Sequence, residues 1–141
     1  WMNRFASFAS PGALTVLIDT DVFIWNLRGN DRARDRLDRE GQFRLSAVTY
    51  MELVQGMRNK KELRALRQAL RYWTAEVEPL SGAISSRAMY LVEEYALSHH
   101  LQMADALIAS TAISLGETLS TANDKHYRFI DGLDLAVFPP R

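Results

Sequence analysis

Four positions carry side chains that could meet and do chemistry: Asp19, Glu52, Asp105 and the pair Asn123-Asp124. Asp19 ends the apolar run Thr15-Val16-Leu17-Ile18, which reads as a buried strand delivering a carboxylate at its last residue. In open parallel α/β folds, ligands bind outside the carboxyl ends of the strands, where such a carboxylate can hold a hard cation. The triplet Asp19-Thr20-Asp21 is also a good N-cap sequence, so on this segment alone cation binding and capping stand level. Asp105 lies in the first turn of a nearly all-round apolar stretch, Met103 to Leu115, and a buried charge there must be paired or bound to metal. Its plainer role is to favour the helix dipole.

The other positions are weaker taken singly. Glu52 leaves its helix away from the apolar face formed by Tyr50, Leu53, Val54 and Met57, and an isolated helical Glu is ordinarily a surface residue. Asn123 and Asp124 follow a short strand and suit a turn. Thr121 is a supporting residue of that turn, and Asp21 either caps the first helix or supports the site. There is no cysteine, hence no thiolate ligand or nucleophile, and an oxygen-donor cluster favours Mg²⁺, or Mn²⁺ in its place, over zinc. His126 is a candidate ligand of lesser weight. No Ser/His/Asp or Cys/His arrangement is apparent.

The elements that must position these residues alternate. Helices are expected over Val22–Leu27, Asp31–Glu40, Ala47 to about Met57, Asn59 to about Trp73, Ser81 to about Ser98 and Met103–Leu115. Short strands are expected at Phe43–Leu45, Ala75–Glu78, Thr118–Ser120 and Leu135–Phe138. Strands alternating with helices over this length mean a parallel α/β sheet covered on both faces. Residues 1–12, ending in Ser10-Pro11-Gly12, read as a loose or added leader ahead of one domain over 13–141.

Composition excludes more than it locates. The 141 residues are 48% apolar and 24% charged with a formal net charge of zero, as expected of one globular domain. No apolar run approaches the ~18 residues of a membrane span. The lack of cysteine suits a reducing cytoplasm. Fourteen of the seventeen cations are Arg, whose fork suits phosphate and carboxylate. Lys60, Arg64, Arg67 and Arg71 recur on one side of a helix, and Arg28 with Arg32 and Arg34 forms a second basic group. Either is suited to phosphate contacts, or simply to a solvated helix face.

Four segments together resemble the PIN-domain ribonucleases, most closely the VapC-type toxins of bacterial toxin–antitoxin pairs. They are Leu17-Ile18-Asp19-Thr20-Asp21-Val22-Phe23-Ile24 with Leu27-Arg28-Gly29; Leu45-Ser46-Ala47-Val48-Thr49-Tyr50-Met51-Glu52-Leu53 with Gly56; Met103-Ala104-Asp105-Ala106-Leu107-Ile108-Ala109; and Leu119-Ser120-Thr121-Ala122-Asn123-Asp124-Lys125-His126-Tyr127. The resemblance covers about residues 15 to 138. It implies a three-layer α/β sandwich with a mostly parallel sheet of four or five short strands. It implies a Mg²⁺-dependent endoribonuclease in which Asp19, Glu52 and Asp105 hold the ion. Asp124 or Asn123 takes the fourth place, where many members have Thr-x-Asp and this chain has Thr121-Ala122-Asn123.

The chemistry implied is attack of a metal-activated water on the scissile phosphorus. The partners implied are RNA, a small VapB-like antitoxin whose tail crosses the acidic cluster, and a second copy in a homodimer. Trp25, Tyr50, Tyr72 and Trp73 are candidates for an apolar groove holding that tail, core packing being the plainer role of each. Two rivals stand beside this reading. One is a PIN-like module that binds RNA or antitoxin without cutting. The other is a HAD-type phosphatase, which Asp19-Thr20-Asp21 also resembles but for Phe23 and the lack of a later Lys motif.

Overall fold

The computed structural model describes residues 16–140, so the expected leader over 1–12 and the first residue of the first apolar run lie outside the described residues. Five short strands form one sheet: β1 (Val16–Ile18), β2 (Arg44–Ser46), β3 (Glu76–Glu78), β4 (Thr118–Thr121) and β5 (Leu135–Val137). Their order is β3-β2-β1-β4-β5 and every neighbouring pair is parallel. β1 is therefore central, and its Val16, Leu17 and Ile18 face Thr118, Leu119 and Ser120 of β4. Parallel strands need crossovers; the last, from β4 to β5, runs through a 3-10 turn at Asp124–His126, and the others use helices. The helices are α1 (Thr20–Leu27), α2 (Asp31–Glu40), α3 (Ala47–Gln55), α4 (Lys60–Tyr72), α5 (Gly82–His99) and α6 (Met103–Leu115).

Two apolar cores sandwich the sheet. On one face Val22 and Phe23 of α1, Ala33 and Leu37 of α2, and Leu66 and Leu70 of α4 pack on Ile18, Leu45 and Val77. There Phe23, Phe43 and Trp73 form a triangle with ring centroids 5.8–6.3 Å apart, and the Trp73 indole N–H donates to Asp38 at 2.8 Å. On the other face Ala88 and Leu91 of α5 meet Ala106, Ile108, Ala109 and Ala112 of α6 over Leu17 and Leu119. α6 takes the buried position its apolar sequence suggests, with Ala106, Ile108, Ala109 and Ala112 covered, while Met103 in its first turn is 73% exposed.

The capping residues fix where the chain enters each helix. Ser46, Asn59 and Ser81 each accept a backbone N–H at the start of α3, α4 and α5. Asn30 does so for α2 at Ala33, and its amide also donates to the Pro140 carbonyl at 2.9 Å, tying the chain's end to α2. Gly116 closes α6 at φ +65, a left-handed position that favours glycine. Asn30→Ala is expected to lower stability by about 1 kcal/mol, read in urea unfolding.

Candidate active site

The helix α1 starts two residues earlier than its apolar residues suggest, at Thr20, and this settles how the acidic triplet is used. Asp19 itself is the N-cap: its Oδ1 accepts the Thr20 N–H at 2.9 Å. Asp21, by contrast, lies inside the first turn and is not the cap. Its carboxylate accepts the Ala122 N–H at 3.1 and 3.2 Å and sits 3.3 Å from the Thr121 hydroxyl. Capping and membership of an acidic cluster are thus compatible in Asp19, because a cap lies at the strand's carboxyl end by construction.

Asp19 is 5% exposed. The Thr121 hydroxyl donates to its Oδ2 at 2.8 Å, and the Tyr127 hydroxyl sits 3.1 Å from its Oδ1. The same Tyr127 hydroxyl lies 3.1 Å from Asp105 Oδ1. Asp19, between β1 and α1, and Asp105 from α6 therefore meet across one phenol, which has a single proton for two acceptors. Asp105 Oδ2 is 3.2 Å from His126 Nδ1, and His126 Nε2 is 3.1 Å from the Asn123 amide. The Asn123 side chain joins this chain of contacts, whereas Asp124 contributes its carbonyl, which accepts the Tyr127 and Arg128 N–H groups. Glu52 is exposed on α3, and its Oε1 accepts the Thr20 hydroxyl at 2.7 Å, with Thr49 Oγ1 2.9 Å from that hydroxyl.

Burial and like charge shape the electrostatics. Loss of water, then the neighbouring Asp21 charge, pushes the Asp19 carboxyl up from 3.8 to about 7, against the Thr121 and Thr20 hydrogen bonds. Burial also raises Asp21, opposed chiefly by the Ala122 N–H. Burial and the charges of Asp19 and Asp105 raise Tyr127 and keep its phenol protonated. A cation would relieve this crowding. Among the described residues no three His, Cys, Asp or Glu side chains form a ready-made cage. The oxygen donors of Asp19 and Asp105 fit an ion bound through one or two carboxylates that keeps several waters, which is how Mg²⁺ binds.

Two residues of this cluster, Tyr127 and Thr20, escape a reading based on acids and metal ligands. A phenol at the end of the fourth segment looks like core, and it is 1% exposed. Its hydroxyl matters only because the fold turns it toward two carboxylates. The α4 stripe behaves differently. Lys60, Arg64, Arg67 and Arg71 are exposed, but none lines the groove beside the acidic cluster. That groove comprises two adjoining cavities of about 470 and 480 Å³ between α1, α3 and α4, with Thr20 and Glu52 at one end and Trp73 at the other. Arg28 and Arg58 do line it. Of the expected groove aromatics only Trp73 takes part; Trp25 and Tyr50 pack against the core and Tyr72 is 76% exposed.

The parallel sheet with acids gathered at its carboxyl edge defines the class. The chain belongs to the PIN-domain family, whose model matches residues 16–132. It is 33% identical over 122 residues to Ribonuclease VapC10 of Mycobacterium tuberculosis, covering 84% of this chain and 90% of that protein. Among solved structures it resembles a toxin–antitoxin complex from Klebsiella pneumoniae, with a TM-score of 0.71, 28% identity, and 90% and 98% of the two chains covered. The fold also matches DNA-bound VapBC from Salmonella typhimurium, with a TM-score of 0.74 at 21% identity, covering 89% and 99%.

Proposed function

We propose that this protein is a Mg²⁺-dependent endoribonuclease, the VapC-type toxin of a toxin–antitoxin pair acting in the cytoplasm. The observation that carries the reading is the buried Asp19 facing Asp105 across the Tyr127 hydroxyl, with Glu52 bonded to the adjoining Thr20 and Asn123 to His126 beside Asp105. Mg²⁺, when bound, supplies neutralising charge and a water of lowered pKa for attack on a phosphodiester. Asp19 and Asp105 hold the ion, with Mn²⁺ as substitute. Glu52, aimed by Thr20, binds through water or orients the nucleophile. Asn123 stands at the fourth position and steadies His126 against Asp105, with Asp124 shaping the turn. Thr121 holds Asp19 in place, and Asp21 supports the site by anchoring the Thr121–Ala122 turn.

The kinship to Ribonuclease VapC10 supports RNA as the substrate. The groove running from Glu52 to Trp73 supports an antitoxin segment that lays apolar side chains beside the acids. A second apolar cavity of about 430 Å³, with exposed Met89 of α5 and Met103 of α6 on its walls, supports a homodimer. The test is calorimetric titration of Mn²⁺ into wild type and Asp105→Asn, with RNA cleavage followed in parallel in Mg²⁺. Wild type is expected to bind and cut; the variant is expected to bind at least tenfold more weakly. Equal Mn²⁺ affinity in the two proteins sinks the assignment, and binding without cleavage of any RNA favours the non-cutting module.

A further inference from the structure

Beyond the acidic cluster, the carboxyl edge of the sheet carries a second feature, of opposite sign. A groove of about 340 Å³ is lined by Arg32, Asp35, Arg36, Arg39, Phe138 and Pro139. The three arginines recur at i, i+4 and i+7 on α2, so they form one row about 10 Å long at 1.5 Å rise per residue. The opposite wall is the chain just after β5, held on α2 by the Asn30–Pro140 hydrogen bond. Arg36 is the fixed member: its Nη1 donates to Ser120 Oγ at 3.2 Å, and its guanidinium carbon lies 5.7 Å from the centre of the Phe138 ring. Arg32 and Arg39 are exposed, and among the described residues no ion pair joins any of the three to a carboxylate. The one acid in the groove, Asp35, is 3.9 Å from Arg34, which also pairs with Asp31.

The placement gives this row a use. Ser120, which receives Arg36, also accepts the Asp19 N–H through its carbonyl, and the next residue, Thr121, holds the Asp19 carboxylate. Arg36, the middle member of the row, is thus bonded to the residue next to Thr121, which holds Asp19. A polyanion cannot be held by carboxylates, and the cluster needs adjacent cations to retain it. Guanidinium forks in a row suit successive phosphates of one extended strand. The geometry points to the α2 groove as the track that grips the single-stranded ribose-phosphate backbone flanking the bond to be cut; this rests on the ribonuclease reading of the acidic cluster. The α4 stripe then plays no part in substrate grip.

The experiment separates grip from cutting. A fluorescein-labelled mixed-sequence 12-nucleotide single-stranded RNA is titrated in EDTA with wild type, with the double variant Arg32→Gln/Arg39→Gln, and with the control Arg64→Gln/Arg67→Gln. The substituted residues are all exposed, and circular dichroism checks that each variant is folded. The α2 variant is expected to bind at least tenfold more weakly, with a salt slope shallower by about 1.4, the value for two lost phosphate contacts on a single strand. The α4 control is expected to match wild type. Equal losses in both variants, or none in the α2 variant, overturn the proposal. So does an α2 variant that loses affinity for a poly-glutamate peptide but not for RNA, which would assign the row to an acidic protein partner. Wild type that cuts RNA in Mg²⁺ but shows no α2-dependent binding overturns the track and leaves the nuclease standing. Binding that depends on α2 without cleavage does the reverse.

Discussion

Asp19→Asn is expected to lower Mg²⁺-dependent RNA cleavage by three orders of magnitude or more while making the metal-free protein more stable at pH 8. The first effect follows from removing one of the two charges proposed to hold the ion, and with it the stabilisation of charge developing on phosphate. The second follows from the direction of the Asp19 shift. Its carboxyl in the fold titrates at about 7 instead of 3.8, through burial and the Asp21 charge. A folded pKa above the unfolded one means the native state binds more protons between those values. The stability Asp19 contributes is therefore present below about pH 4 and lost as pH rises to about 7, the reverse of a salt-bridged carboxylate. Each unit of displacement is worth about 1.4 kcal/mol. Asn carries no charge, so the variant lacks this loss, and the difference between the two proteins isolates Asp19 from other titrating groups.

Thermal melts in EDTA at pH 5 and pH 8 measure the difference. Wild type is expected to fall relative to the variant between these values, and Mg²⁺ is expected to restore wild type at pH 8 with little effect on Asp19→Asn. A variant no more stable than wild type at pH 8 contradicts the picture of a strained acidic pocket, whatever its activity.

The strands and helices were legible because each is short, apolar on its inner side and bounded by a capping residue. Asn59 and Trp73 end α4 where the sequence places them, and Gly116 ends α6. The boundaries that moved did so for local reasons. Ser46 is at once the last residue of β2 and the cap of α3, so no loop separates them. Asp19 joins β1 to α1 in the same way. In the site, the acids stand out because charge is rare at strand ends and inside apolar helices. Tyr127 and Thr20 do not, because a hydroxyl acquires a role only from what the fold turns toward it. The same holds for the polar cluster at the opposite edge of the sheet, where Arg44, Glu76 and Glu117 are separated by up to 73 residues of chain.

Arg44→Leu is expected to cost about 3–5 kcal/mol of folding stability, on the order of half of what a small domain has. Arg44 begins β2, and its side chain is 16% exposed between Glu117 at 3% and Glu76 at 12%. It bonds Glu117, which immediately precedes β4, and its Nε lies 3.7 Å from Glu76 on β3. The neighbouring Glu78 is pushed up by burial, and the Arg44 charge is the main influence opposing that. Leucine fills much of the space but leaves three carboxylates around a site that has lost its cation, and breaking a buried pair from one side costs far more than forming it gains. Because Arg44 and Glu117 stand at the opposite edge of the sheet from the acidic cluster, the change acts on stability and not on the chemistry. The damage is expected to shrink as pH falls and Glu78, whose carboxyl burial holds above its usual range, takes up its proton, and to shrink in the double variant Arg44→Leu/Glu117→Gln, which removes the stranded buried charge. Urea unfolding at pH 5 and pH 8 reads both effects. A single variant as stable as wild type at pH 8, or a double variant no better than the single, would show that the cluster is held by its surroundings and not by Arg44.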